Sequence, residues 1–159
     1  MKFVALLLLL LSPFSLANTI EVLTERAQNQ DVDAQITLAQ SYLTGTDVTP
    51  SRQEAIYWFE LAADSGSQIA AGELAQLYLD DSNGQRDTEK KAVYWLTKLA
   101  VDDNPQAQLT LGQVYESLGS KLDNLDMAEV WYRVASDQLS EAEDAYGRVL
   151  EKEVQCAAR

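Results

Sequence analysis

The chain has 159 residues, and its 12 basic and 25 acidic residues give a formal net charge of −13. A nucleic-acid-binding protein needs a basic face, so that class is a poor match, whereas a basic partner suits an acidic protein better. The chain has no histidine and one cysteine, which excludes Ser–His and Cys–His catalysis, the common histidine-based metal sites and an internal disulfide framework.

The first seventeen residues have the features of a secretory signal peptide. Lys2 supplies a positive start, residues 3–11 form an unbroken apolar run, and Ser15-Leu16-Ala17 is a small-x-small cleavage pattern. The apolar run is too short to cross a hydrocarbon core of about 30 Å, which argues against a membrane anchor. We therefore expect cleavage after Ala17, and a mature protein that is exported to a bacterial periplasm and not inserted in the membrane.

The rest of the chain carries a pattern that recurs every 36 or 37 residues. A period between about 20 and 50 residues predicts a repeat array, and this one is close to the helix-turn-helix solenoids. In each unit, Ala-x3-Leu-x3-Tyr follows one face of a first helix, and Ala-x2-Trp follows one face of a second helix. The residues predicted to form this repeated core are Leu38, Tyr42, Ala55, Trp58, Leu74, Tyr78, Ala92, Trp95, Leu111, Tyr115, Ala128 and Trp131.

The pattern divides residues 18–159 into one domain of successive helical units. The predicted fold is all-α, a right-handed α/α superhelix (solenoid) of helix-turn-helix repeats. In chain order, we predict a capping helix at 19–29, repeats at about 33–66, 67–103 and 104–138, and a closing half-repeat at 140–155.

Short polar residues mark the expected starts of several helices. Ser51, Thr88 and Asn124 each lie four residues before the alanine of a second helix, where a side-chain oxygen can accept a bond from an unpaired backbone N–H. Asn104 followed by Pro105 predicts the start of a first helix.

The repeated aromatic cluster around each tryptophan is predicted to be core. A tryptophan at one fixed position in three units suits helix-on-helix packing better than a ligand site. Tyr57 and Tyr94, each beside a tryptophan, are expected nearer the edge, where a phenol stays in water. The polar stretch 80–90 does not match a calcium loop, because Leu79 and Lys90 would occupy its first and twelfth positions.

These motifs resemble the Sel1-like repeat (SLR) family, a relative of the tetratricopeptide repeat. The third unit, with AQLTLGQVY followed by AEVWYRVAS, carries the resemblance best, and the likeness extends from 33 to about 150. Asp47 stands where a second loop glycine is usual, and Ala39 and Ala75 replace the helix glycine that Gly112 keeps. The resemblance implies a protein-interaction scaffold with no enzyme activity, cofactor or metal.

The resemblance also implies a binding surface on the first helices. In tetratricopeptide-like stacks these helices line a concave face, and one position on that face is glutamine in three successive units. A ladder of amides could hydrogen-bond the backbone of an extended peptide, because an amide both donates and accepts. The alternative is that glutamine is only a good helix former on a solvated face. The implied partner-binding residues are Thr37, Gln40, Glu73, Gln76, Thr110, Gln113 and Arg148.

The predicted function is that of a periplasmic scaffold or adaptor which binds a protein or peptide in its concave groove. A cysteine-rich branch of the family suggests an alternative, a cell-wall or β-lactam-type ligand binder or hydrolase, but that branch depends on disulfides that this chain cannot form. A second alternative is a self-assembling structural subunit of an envelope complex. Cys156 is either a free thiol on the last helix or a link to a second copy or a partner.

Overall fold

The computed structural model describes residues 14–80, 86–118 and 122–157, and every element in these ranges is a helix. The prediction of an all-α protein built from helix-turn-helix repeats is confirmed. Within the described ranges, none of the helices is both long and apolar enough to cross a membrane. The helices are α1 (Phe14–Gln28), α2 (Val32–Thr44), α3 (Arg52–Asp64), α4 (Gln68–Asp80), α5 (Arg86–Val101), α6 (Pro105–Ser117), α7 (Leu122–Ser136) and α8 (Ser140–Ala157).

The chain forms two compact units that meet in sequence at Ser65 and Gly66. The N-terminal unit contains α1, α2 and α3, and the C-terminal unit contains α4 to α8. In each unit, helices that follow one another in sequence pack together as antiparallel neighbours, as short connections require.

In the N-terminal unit, the start of α2 is fixed by Asp31. Its Oδ1 accepts a bond from the backbone N–H of Ala34 at 3.1 Å, and Oδ2 accepts from Arg26 at 2.7 and 2.9 Å. The bond from Ala34, and then the bond from Arg26, lower the pKa of the Asp31 carboxyl. An anionic side chain is therefore held at the N-terminus of α2, where it satisfies an otherwise unpaired donor.

The end of α2 requires a glycine. Gly45 has a φ of +75°, in the left-handed region, and its N–H donates to the carbonyl of Ser41 at 2.8 Å. A Cβ at this position would also lie 2.6 Å from Cγ of Pro50. Both the backbone conformation and the close approach of the loop exclude other residues.

Of the four predicted helix starts, two are confirmed and two are wrong. Ser51 and Asn104 are N-caps: Ser51 Oγ accepts from Glu54 N–H at 3.3 Å, and Asn104 Oδ1 accepts from Ala107 N–H at 3.0 Å. The predictions for Thr88 and Asn124 are wrong, because α5 begins at Arg86 and α7 at Leu122. Each of these helices starts three residues earlier than an N-cap at Thr88 or Asn124 predicts.

Two buried glutamines tie successive helices together, one in each unit. Gln35 is 3% exposed and its Nε2 donates to the carbonyl of Ala27 at 3.0 Å; Gln108 is 1% exposed and its Nε2 donates to the carbonyl of Ala100 at 3.0 Å. In both cases a first helix supplies the amide, and the last turn of the preceding helix supplies the accepting carbonyl. The Ala27 carbonyl also accepts a bond from the backbone N–H of Gln30 at 3.2 Å. We call this contact the glutamine clamp.

In the C-terminal unit, α6 and α7 approach each other closely at Gly112. A Cβ on Gly112 would lie 2.6 Å from two ring carbons of Tyr132, so the absence of a side chain on α6 lets this ring lie against the helix backbone. Tyr132 is fully buried, and its hydroxyl donates to Glu116 Oε2 at 2.6 Å. Lys152 of α8 donates to Glu116 Oε1 at 2.6 Å, which links three helices through one carboxylate.

The aromatic residues lie where core packing would put them. Trp58 and Trp95 are 7% and 5% exposed, whereas the adjacent Tyr57 and Tyr94 are 52% and 57% exposed. Each tyrosine meets its tryptophan edge to face, with ring centroids 5.1 Å apart. All the residues of the predicted repeat core are buried except the half-buried Tyr42, Tyr115 and Trp131.

Candidate functional site

A groove opens in the C-terminal unit between α4 and α6, which are the first helices of the second and third repeats. It contains a cavity of about 200 Å³. Its floor is apolar and comes from α5, with Leu96 and Leu99, both 4% exposed. Ala75 and Ala107, the small residues of α4 and α6, form its walls. We call this feature the α4–α6 groove.

Uncharged polar side chains form the rim of the α4–α6 groove. Gln68 and Gln76 of α4 stand on one side, and Asn104, Gln106 and Thr110 stand at the start of α6 on the other. None of the described residues that line the groove is charged. The rim therefore presents both donors and acceptors without a net charge, which suits the peptide backbone.

Internal hydrogen bonds hold two of the rim side chains in place. Gln76 Nε2 donates to Asp80 Oδ1 at 2.9 Å, one turn further along α4. Thr110 Oγ1 donates to the carbonyl of Gln106 at 2.8 Å, so its remaining capacity toward a ligand is as an acceptor. Asp80 and the exposed Glu73 place negative charge on α4 beside the neutral groove.

The predicted partner-binding residues are only partly brought together. Gln76 and Thr110 line the α4–α6 groove. Gln113 is exposed on α6 without lining the groove, and Glu73 and Arg148 are exposed on α4 and α8. In the N-terminal unit, Gln40 and Thr37 are both exposed on α2.

Thr37 lines a second cavity, of about 420 Å³, between α1 and α2. Its other lining residues are Thr19, Val22, Leu23 and Arg26, all from α1. By sequence position, Thr37 corresponds to Thr110, and Leu23 corresponds to Leu96 in the floor of the α4–α6 groove. The two cavities thus occupy equivalent places in the repeat, one in each unit.

Several groove residues escaped prediction although their spacing contains the signal. Gln68, Gly72, Gln76 and Leu79 follow one stripe of α4 at intervals of four, four and three residues. Extending the face of Gln76 backward by whole turns would have found the first two. The floor residues of α5 could not be found in this way, because the repeat pattern assigns them to the core.

The linked Tyr132, Glu116 and Lys152 side chains are structural rather than reactive. Burial, and then the bond to the Glu116 carboxylate, raise the pKa of Tyr132 far above its ordinary value, so the phenol keeps its proton. Burial would raise the pKa of Glu116, but the bonds from Lys152 and Tyr132 outweigh it and lower that pKa. The carboxylate is therefore ionised and fully engaged, and neither group is poised to exchange a proton near neutral pH. In the described part of the chain, no three acidic or cysteine side chains are grouped to hold a metal ion.

Comparison with known proteins agrees with the repeat geometry. The family model of the Sel1 repeat matches three successive stretches of the chain, residues 32–67, 68–100 and 105–138. The chain belongs to the Sel1 repeat family. The resemblance seen in the sequence is thereby confirmed. Sel1 repeat proteins typically mediate protein–protein interactions and are generally non-catalytic scaffolds.

Two solved structures are similar to this Sel1 repeat protein. A Sel1 repeat protein from Oxalobacter formigenes is 27% identical, with a TM-score of 0.60 over 82% of this chain and 98% of that one. A protective antigen present in uropathogenic Escherichia coli strains, which displays an SLR fold, is 31% identical, with a TM-score of 0.63 over 84% of this chain. The match spans only 28% of the antigen. Among curated proteins, no significant match to the chain is found.

Proposed function

We propose that this Sel1 repeat protein is an exported, non-enzymatic adaptor of the bacterial periplasm whose α4–α6 groove binds an extended segment of a protein partner. The observation that carries the proposal is the combination of an apolar floor, formed by Leu96 and Leu99, with a rim of uncharged amides and a hydroxyl. Specific peptide recognition uses both features, since pockets select side chains while polar groups pair with the backbone.

The size of the groove favours a peptide over a small molecule. Pockets for drug-sized ligands measure about 300–1,000 Å³, whereas this cavity is about 200 Å³. A cavity of this size suits one or two side chains of a longer segment. The acidic residues Glu73 and Asp80 beside the groove, together with the net charge of −13, favour a segment that carries basic residues.

Site-directed photocrosslinking in cells tests this proposal, with Gln106 and Gln113 as matched attachment points. Both are exposed glutamines on α6, but only Gln106 lines the groove. A photoreactive residue at position 106 should capture one defined envelope protein, identified by mass spectrometry. The same residue at position 113 should capture it poorly.

Alanine variants then measure how much each glutamine side chain contributes to binding of the partner. Gln76→Ala should reduce the yield of the crosslink from position 106, because it removes a rim amide, while Gln113→Ala should leave the yield unchanged. Equal capture from both attachment points, or a yield that Gln76→Ala does not alter, would place the binding surface elsewhere. Hydrolysis of a β-lactam reporter by the purified protein would contradict the non-enzymatic part of the proposal.

Export is tested separately. The signal-peptide pattern supports a mature chain that starts at Asn18, and intact-mass measurement of the protein recovered from a periplasmic fraction should give that N-terminus. Recovery of the full-length chain from the cytoplasm alone would refute the proposed location without affecting the groove.

A further inference from the structure

The first helix of the structure, α1, leaves open the side-chain positions that later second helices bury. The alanine before each tryptophan is fully buried at Ala55, Ala92 and Ala128, and the equivalent Thr19 is exposed. Trp58 and Trp95 are 7% and 5% exposed, and the equivalent Val22 is 49% exposed. The position after tryptophan is at most 4% exposed in the three internal repeats, but its equivalent Leu23 is half-buried. Thus α1 has the pattern of a second helix, and among the residues that the structure describes no first helix covers this face.

The last helix, α8, has the complementary arrangement. Its buried residues Ala142, Ala145 and Val149 belong to the core that it shares with α7. Tyr146, Gly147 and Leu150 are the equivalents of Leu111, Gly112 and Tyr115. Whereas Leu111 and Gly112 are buried, Tyr146 is half-buried and Gly147 is exposed.

The open face of α8 carries exposed apolar residues, with the exposed Glu143 and Glu151 one turn to either side of Gly147. A Cβ on Gly147 would meet no atom within 4 Å, whereas one on Gly112 would collide with Tyr132. Leu150 and Val154 on the same helix are 38% and 70% exposed. Thus α8 has the pattern of a first helix: α7 packs on one side of it, and within the described ranges no following helix packs on the side that carries Gly147.

We propose that α8 of one copy packs on α1 of a second copy and completes a helix pair, so that the protein assembles end to end. The repeat itself indicates the occupant of each open face: within the described ranges no following helix packs on α8, and α1 has the pattern of a second helix. The internal pairs α2–α3, α4–α5 and α6–α7 show how such helices meet. In the new pair, Leu23 would lie against Gly147 as Tyr132 lies against Gly112, which continues an interface that the chain already uses.

Such a contact is heterologous, because the two faces are different surfaces, and it therefore leaves one open face at each end of every dimer. Repetition would produce chains of copies rather than a closed dimer. The net charge of −13 per copy opposes the contact, so salt that screens this repulsion should strengthen it.

The test blocks each face in turn and then combines the blocked proteins. One variant carries Val22→Glu on α1, and the other carries Leu150→Glu with Val154→Glu on α8. All positions are solvent-exposed, so the fold should persist, and far-UV circular dichroism checks this. Cys156→Ser in every protein removes disulfide linkage. Sedimentation velocity of the chain from Asn18, at rising protein concentration and about 0.5 M NaCl, measures the mass.

With both faces intact, the average mass should rise more than twofold over the monomer as concentration increases. Each blocked variant should remain a monomer when alone. A mixture of the two in equal amounts should stop at the dimer, because only one intact α8 face meets one intact α1 face. Val101→Glu, at a residue that is 69% exposed and outside both faces, should assemble like the parent protein.

Three results would overturn the proposal. The parent protein with Cys156→Ser could stay monomeric at every concentration, either blocked variant could still assemble alone, or the mixture could fail to form a dimer. Assembly that requires Cys156 would instead point to disulfide linkage. None of these results bears on the α4–α6 groove, so the two proposals fail independently.

Discussion

Replacing Gly112 by alanine should lower the free energy of unfolding by about 2 kcal/mol, although alanine is the better helix former. The new Cβ would lie 2.6 Å from two ring carbons of Tyr132 and 3.1 Å from a third. Tyr132 is fully buried and its hydroxyl is bonded to Glu116, so the ring cannot move away without losing that bond. Overpacking costs about 1–3 kcal/mol, and helix propensity returns about 1 kcal/mol. Because both the Tyr132 ring and the α6 backbone are held in place, the overpacking cost lies at the upper end of this range, about 3 kcal/mol. Subtracting the gain of about 1 kcal/mol in helix propensity leaves a net loss of about 2 kcal/mol.

Urea denaturation followed by circular dichroism measures this change, with Gly72→Ala as the matched control. Gly72 also lies within a helix, α4, but a Cβ there would meet nothing within 4 Å. The control should therefore be stabilised by up to about 1 kcal/mol. We therefore expect Gly112→Ala to lower the free energy of unfolding and Gly72→Ala to raise it.

A second background tests whether the tyrosine ring is the cause. The other two repeats have alanine at the equivalent of Gly112, and they have Phe59 and Leu96 at the equivalent of Tyr132. In a Tyr132→Leu protein the ring is gone, so Gly112→Ala should become neutral or stabilising. If the substitution destabilises both backgrounds equally, the coupling between positions 112 and 132 is zero and the steric explanation is wrong.

Three further predictions address the core, the clamp and pH. Trp95→Ala should cost about 3–5 kcal/mol in urea denaturation, because it empties a position that is only 5% exposed; a cost below about 1 kcal/mol would contradict its assignment to the core. Gln108→Ala should cost about 1–3 kcal/mol, since the buried carbonyl of Ala100 loses its donor, while the exposed Gln106→Ala should have almost no effect. Burial, and then neighbouring carboxylates on α7, raise the pKa of Glu153. The charged form of Glu153 therefore lowers the free energy of unfolding at neutral pH, and this loss of stability disappears as the pH falls through the raised pKa. Glu153→Gln should therefore raise the Tm at pH 7 and make no difference well below the ordinary pKa of glutamate; an unchanged Tm at pH 7 would rule out this electrostatic cost.

The helices could be predicted from the sequence because the repeat period reports packing directly. Leu38, Leu74 and Leu111 recur at that period, and each is fully buried, since a helix pair can bury its apolar face only against its neighbours. The starts at Thr88 and Asn124 were less predictable. An N-cap contributes only about 1 kcal/mol, so the residues before it can extend the helix when their own contacts favour it.

The polar contacts could not be predicted, because they depend on which helix lies opposite. Gln35 and Gln108 look in the sequence like solvated helix residues, yet both are buried by the end of the preceding helix. Gln76 and Gln113 occupy equivalent positions in the repeat, but of the two only Gln76 lines the α4–α6 groove. Spacing identifies the face of a helix; the neighbour that this face meets is a property of the folded unit.

The glutamine clamp has a consequence for how such repeats can be exchanged. Its acceptor is a backbone carbonyl, at Ala27 or at Ala100, and every residue type supplies one. The contact therefore places no demand on the side chain of the preceding helix beyond its fit in the core. A repeat that begins with this glutamine brings the specific half of the junction with it, so it can be grafted behind any second helix that ends in the same register. At these two junctions, the acceptor half of the contact does not depend on the identity of a side chain.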